Sequence, residues 1–150
     1  MKQILSFDEP TATQPSLTGG KGANLSILTQ RHFPVPRGFV ITVPVYHEFI
    51  RGAADLSARV AALPFQDAAA LREAGAALQA GLSQLPLPPE AAAEIREQLG
   101  NFPAGTAFSV RSSSTMEDLA SAAFAGQHET FLNVVGVEEV LDRVRGCFVS

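Results

Sequence analysis

Proline is what most restricts the shapes open to this chain. Ten of its 150 residues are proline, and their positions cut the sequence into short pieces. A proline lacks the backbone donor and clashes with the preceding turn, so helices end before one or begin on one. Pro34 and Pro36 close a first helical stretch over residues 23–30, where Ala23, Leu25, Ile27 and Leu28 recur at helical spacing. Pro44 opens a second at its first turn, carrying Tyr46, Phe49 and Ile50. Pro64 interrupts the stripe Leu56, Val60, Leu63, and Pro86, Pro88 and Pro89 end the stripe Leu71, Leu78, Leu82. A third stripe, Ala92, Ile95 and Leu99, closes at Gly100. Residues 53–100 are rich in good helix formers and read as a small helical insert whose stripes make core contacts and carry no chemistry.

Strand character lies on either side of that insert. Residues 3–7, 38–42, 107–110 and 129–135 are the predicted strands, with 38–42 expected to be buried on both faces. Strands and helices together give an α+β chain. The sequence ends on an apolar helical face, Val137, Val140, Leu141, Val144 and Phe148, with no cap, glycine or proline after it. That unfinished face leads to the expectation that the 150 residues are the front of a longer protein.

Composition sets bounds on function. Hydrophobic residues make up 46% and charged residues 17%, which suits a globular core. A net charge of −4 argues against broad binding to nucleic acid or an anionic membrane, both of which call for a basic excess. No signal peptide and no run of membrane-spanning length is present, so the expected compartment is the cytoplasm. Cys147 is the single cysteine, which rules out an intrachain disulfide and a cysteine-built zinc site, and it reads as a small buried apolar residue on a helix.

Two segments have the makings of a site. In Thr18-Gly19-Gly20-Lys21-Gly22-Ala23-Asn24-Leu25, glycines around a lysine let the backbone approach an anion, at the positive end of a helix. It is not a Walker A loop, because Gly22 stands where Ser or Thr is needed and Pro15 where a glycine is needed. A plain glycine turn capping a helix, with Lys21 in solvent, explains the spacing equally well. In the second segment Arg111 ends a strand expected to be buried, followed by the hydroxyls Ser112, Ser113, Ser114 and Thr115. A guanidinium there reaches a phosphate with a rigid two-pronged donor set. Thr115 with Asp118 also fits a helix cap near Glu117, and the 124–127 loop, Phe-Ala-Gly-Gln, reads as a flexible cover or a plain β-turn. His32, His47 and His128 share no ligand spacing, and no Gly-x-Ser-x-Gly elbow occurs.

Three blocks taken together resemble a known family. They are Gly19-Gly20-Lys21-Gly22-Ala23-Asn24-Leu25, then Val35-Pro36-Arg37-Gly38-Phe39-Val40-Ile41-Thr42, then Val110-Arg111-Ser112-Ser113 continuing through Thr115-Met116-Glu117-Asp118-Leu119, Phe124-Ala125-Gly126-Gln127 and Glu129-Thr130-Phe131-Leu132-Asn133-Val134. In this order they are similar to the N-terminal nucleotide-binding domain of the phosphoenolpyruvate synthase (pyruvate, water dikinase) family, which pyruvate phosphate dikinase and rifampicin phosphotransferase share. Two positions depart from the pattern: Arg37 where the family often has proline or another small or polar residue, and Met116 where it often has alanine.

The resemblance implies an ATP-grasp fold, with residues 1–150 as the first part of the nucleotide-binding domain. It implies that ATP phosphorylates a histidine on a separate domain, which passes the phosphoryl group to pyruvate or, in the alternative, to an antibiotic. By the matched motifs, Lys21, Arg111, Gly126 and Thr130 would hold the ATP phosphates, with Ser113, Thr115 and Gln127 as supporting contacts. ATP and Mg2+ are the implied cofactors, with the metal ligands, the phosphohistidine domain and the acceptor-binding domain all expected beyond residue 150. No catalytic or metal-binding residue is expected within this stretch, and the isolated fragment is expected to be inactive. A non-catalytic module that binds a phosphorylated ligand, or a purely structural interaction domain, are the contrasting readings.

Overall fold

The computed structural model describes residues 2–113 and 129–150. In chain order the elements are β1 (Ile4–Ser6), a 3-10 turn (Pro10–Thr13), α1 (Pro15–Gln30), β2 (Phe39–Ile41), α2 (Val43–Arg51), α3 (Leu56–Ala61), α4 (Ala68–Ser83), α5 (Pro89–Gly100), β3 (Ala107–Arg111), β4 (Thr130–Val135) and α6 (Val137–Val149). The architecture is α+β, with β1–β2 and β3–β4 forming two separate antiparallel ladders.

The first ladder pairs Ile4 with Ile41, Leu5 with Val40 and Ser6 with Phe39. Its register alternates the side chains across two faces. Leu5 and Val40 are buried on one face, while Ile4 on the other enters the main core with Phe39 and Ile41 half-buried around it. Strand β2 is therefore fully buried at Val40 alone, not on both faces, because Phe39 and Ile41 lie at the margin of the core. Thr42 follows as the residue before α2, and its buried hydroxyl donates to the Gln3 carbonyl at 3.0 Å, tying helix and strand together. Pro44 sits in the first turn of α2, where its missing N–H leaves nothing unsatisfied.

One core joins both ends of the chain. Ile4, Phe49, Leu87, Ile95, Leu99, Val134, Val140, Leu141 and Val144 pack together, drawn from β1, α2, the α4–α5 connection, α5, β4 and α6. The apolar face of α6 is closed by this packing: Val140, Leu141 and Val144 are buried, and the Phe148 ring meets those of Tyr46 and Phe49 at 5.6 and 5.3 Å. Val137 stays exposed at the start of the helix.

The helices between residues 53 and 100 behave in two ways. The stripe on α5 enters the common core through Ile95 and Leu99, with Ala92 half-buried against it. Helices α3 and α4 bury no residue fully, so Leu56, Leu71, Leu78 and Leu82 are only half-buried and Val60 is exposed. α4 is held at its start by Asp67, whose Oδ1 accepts from the backbone of Ala69 and Ala70 at 2.9 and 3.0 Å.

The second ladder lies against α6 with one face open. Phe108 and Val110 turn toward the core, while Ala107, Ser109 and Arg111 are exposed. Strand β3 is thus not buried, because α6 covers one side of a two-stranded ribbon. Its register slips between Phe108 and Val110, opposite Leu132 and Asn133. Asn133 takes the left-handed backbone at the slip, φ 56°, a conformation its short polar side chain tolerates.

Candidate functional site

The site is built around a break in α1. Gly19 has φ 70° and ψ 171°, which interrupts the helix and restarts it at Gly20. The first-turn amides of a restarted helix lack partners within it. A side chain on the preceding residue would ordinarily supply one. Here a Cβ on Gly19 would lie 2.5 Å from the Ser113 carbonyl oxygen and 2.7 Å from its carbonyl carbon, so only glycine fits.

Ser113 supplies the cap from a distance. Its Oγ accepts from the Gly22 N–H at 3.0 Å, across 91 residues of sequence. Gly22 in turn lies against β2, where a Cβ would stand 3.0 Å from Val40 Cγ1. Before the break, the buried Thr18 hydroxyl engages the carbonyls of Ala12 and Gln14, both at 2.9 Å. The helix restart is thus fastened to the 3-10 turn, to β2 and to the end of β3.

Lys21 lies on this restarted turn. Its Nζ donates to the Ser112 carbonyl at 3.2 Å, beside Arg111 at the end of β3. Arg111 pairs across the ladder with Thr130, and both are exposed. Pairing continues one residue further, from the Ser112 N–H to the Glu129 carbonyl at 3.3 Å. The same carbonyl receives the Cys147 thiol of α6 at 3.8 Å. Burial, with the Glu129 charge adding to it and Lys21 opposing it, pushes the Cys147 thiol up to about 11. A neutral thiol suits the donor role, and Cys147 is half-buried rather than fully enclosed.

The structure therefore joins four of the predicted residues, Lys21, Arg111, Ser113 and Thr130, at one corner. Thr115, Gly126 and Gln127 lie outside the described residues, as do the cap expected at Thr115–Asp118 and the 124–127 loop. The expected helix start at Ala23 is earlier in the structure, since Gly20, Lys21 and Gly22 are already helical. Glu129 and Cys147 were not foreseen as neighbours of Lys21. Glu129 had one legible signal, its place next to Thr130 on the strand facing Arg111.

Chemically, the corner offers an ammonium, an exposed guanidinium and a helix start, the donor set for an anion with several oxygens. Among the described residues, no group of three or more His, Cys, Asp or Glu is placed to hold a metal ion. His32 and His47 are exposed. Arg37 lies elsewhere, its guanidinium 5.3 Å from the centre of the Phe102 ring in an open cleft shared with Ser6, Gln98 and Asn101.

Sequence comparison identifies the class to which this α+β chain belongs. The family described as pyruvate phosphate dikinase, AMP/ATP-binding domain, matches residues 15–150, and the chain belongs to it. Among its relatives, a probable phosphoenolpyruvate synthase of Staphylothermus marinus is 36% identical over 98% of this chain and 19% of its own length. A rifampicin phosphotransferase of a Streptomyces species is 39% identical over 98% of the chain and 18% of its own length. The phosphoenolpyruvate synthase of Deinococcus radiodurans is 36% identical over 100% and 20%. The chain thus spans about a fifth of the length of these curated relatives. Among the described residues, no helix is long and apolar enough to cross a membrane.

Proposed function

We propose that this chain grips the phosphates of ATP within an ATP-grasp domain of a phosphotransferase. Lys21, Arg111, Gly126 and Thr130 hold the phosphates, supported by Ser113, Thr115 and Gln127. The carrying observation is the hydrogen bond from the Lys21 ammonium to the Ser112 carbonyl at 3.2 Å, which reaches across 91 residues to the neighbour of Arg111 in the chain. Two cations at one corner neutralise charge on the transferred phosphoryl group, the main source of rate in such transfers.

In this reading the phosphoryl group goes to a histidine on another domain of the same cytoplasmic protein, and from there to pyruvate. Relatives named phosphoenolpyruvate synthase favour that acceptor. An antibiotic acceptor is the second reading, favoured by relatives named rifampicin phosphotransferase. Magnesium would be held by residues beyond this stretch, as the family resemblance implies. The isolated chain, holding part of a site, is expected to turn over no ATP.

The test replaces Lys21 and Arg111 singly by alanine in the intact protein. Nucleotide affinity and phosphohistidine formation are then measured. Each loss of a charge-assisted contact should weaken affinity about tenfold or more. Wild-type values in both variants would sink the assignment.

A further inference from the structure

We propose that Ser113 is a positioning residue for Lys21, acting through the Gly22 amide and not as a phosphate ligand in its own right. The inference rests on the nucleotide reading above and adds to it a role for one hydroxyl. Three contacts carry it. The Gly22 N–H is bonded to Ser113 Oγ at 3.0 Å, so the residue following Lys21 is pinned. The residue two before Lys21, Gly19, is moulded against the Ser113 backbone in a left-handed conformation that admits no Cβ. The Lys21 ammonium reaches the Ser112 carbonyl, one residue before the same serine.

These contacts enclose Lys21 from both sides along the chain. With the Ser113 oxygen gone, the Gly22 N–H loses its acceptor in a buried position, and the helix restart loses the group that caps it. Lys21 then has a choice of backbone directions on a run of glycines, and the entropy of fixing it must come from the ligand. Ser113 thereby links the Lys21 turn with the strand that carries Arg111, so the two cations move as one unit.

The test is a double-mutant cycle on the intact protein, with the non-hydrolysable analogue adenosine 5′-(β,γ-imido)triphosphate as probe. Ser113→Ala should weaken affinity about tenfold, and Ser113→Thr, which keeps the oxygen, should restore it to within about twofold of wild type. In a Lys21→Ala background the same Ser113→Ala change should add less than about twofold, because the residue it positions is gone. Amide hydrogen exchange without nucleotide should show the Gly22 N–H losing protection in Ser113→Ala and keeping it in Ser113→Thr. An equal loss of affinity with and without Lys21 overturns the proposal in favour of a direct ligand. Unchanged affinity in Ser113→Ala overturns it as well. If Lys21→Ala alone leaves affinity unchanged, the nucleotide site itself falls, and the exchange data identify that case by still showing loss at Gly22.

Discussion

Ser113 Oγ stands 3.0 Å from the nitrogen of Gly22, 91 residues earlier in the chain, and caps the restarted helix there. Most helix caps are local, supplied by the residue just before the first turn. Here that residue is Gly19, and the space a side chain would fill belongs to Ser113. Both the helix restart and the placement of Lys21 therefore depend on β3 being in position.

Gly19→Ala should be far more damaging than a surface glycine change. Its backbone stands at φ 70°, and an added Cβ would press on the Ser113 carbonyl. A side chain in this nearly glycine-only region costs about 1–3 kcal/mol, and displacing Ser113 adds to it. Urea denaturation should give a loss of about 2 kcal/mol or more, together with weaker nucleotide binding. A variant as stable as wild type would contradict the tight fit.

Gly75→Ala should act in the opposite direction. Gly75 lies inside α4 with nothing within 4 Å of the place an alanine methyl would take, and its φ is not in the left-handed range. Alanine there lowers the entropy of the unfolded chain and raises helix propensity, a gain of about 0.5–1 kcal/mol. A rise in the urea midpoint checks it.

Arg111→Ala should separate binding from folding. Arg111 is exposed at the end of β3, and no ion pair or side-chain hydrogen bond of it is present among the described residues. Removing it should change stability by less than about 0.5 kcal/mol while weakening nucleotide affinity about tenfold. Isothermal titration and urea denaturation on the same variant measure the two quantities. Equal losses in both would make Arg111 a structural residue.

Cys147 should make stability fall at high pH. The thiol is pushed up to about 11 from an ordinary 9.0, chiefly by burial. Between those values the unfolded chain has released a proton that the folded chain retains, so stability declines as pH rises from about 9 to about 11. Cys147→Ala should flatten that part of the curve. At pH 8 a thiol reagent should label folded Cys147 more slowly than the unfolded chain, since the thiolate is the reactive form.

Ile95→Ala and Leu71→Ala test how the helical region is divided. Ile95 on α5 is 1% exposed and sits in the common core, whereas Leu71 on α4 is only half-buried. The first should cost about 2–5 kcal/mol and the second clearly less. Thermal unfolding of both variants compares them.

The helices and strands were largely legible from punctuation and period. Pro44 marked the start of α2, the Ala92, Ile95, Leu99 spacing marked α5, and the strand character of residues 107–110 marked β3. Burial was less legible. The Arg111 strand read as buried, yet it is half of a two-stranded ribbon with one open face. The α6 face gave no sign of its partners, and Val140, Leu141 and Val144 are covered by residues from distant parts of the chain. Period says which side chains share a face, and it is silent on what packs against that face.

By itself, the sequence determined the residue types at the site and their order: a lysine among glycines, then an arginine followed by hydroxyls. The glycine follows from local chemistry, since only glycine suits the Gly19 backbone, and a lysine and an arginine are the residue types that complement an anion. Tertiary structure decided that Lys21 lies on the Ser112 carbonyl, that Ser113 caps the Gly22 amide, and that Glu129 and Cys147 stand close by. The reason is distance along the chain. A contact spanning 91 residues forms only when the intervening helices fold into the shared core and bring β3 back to α1, and no local pattern encodes that return.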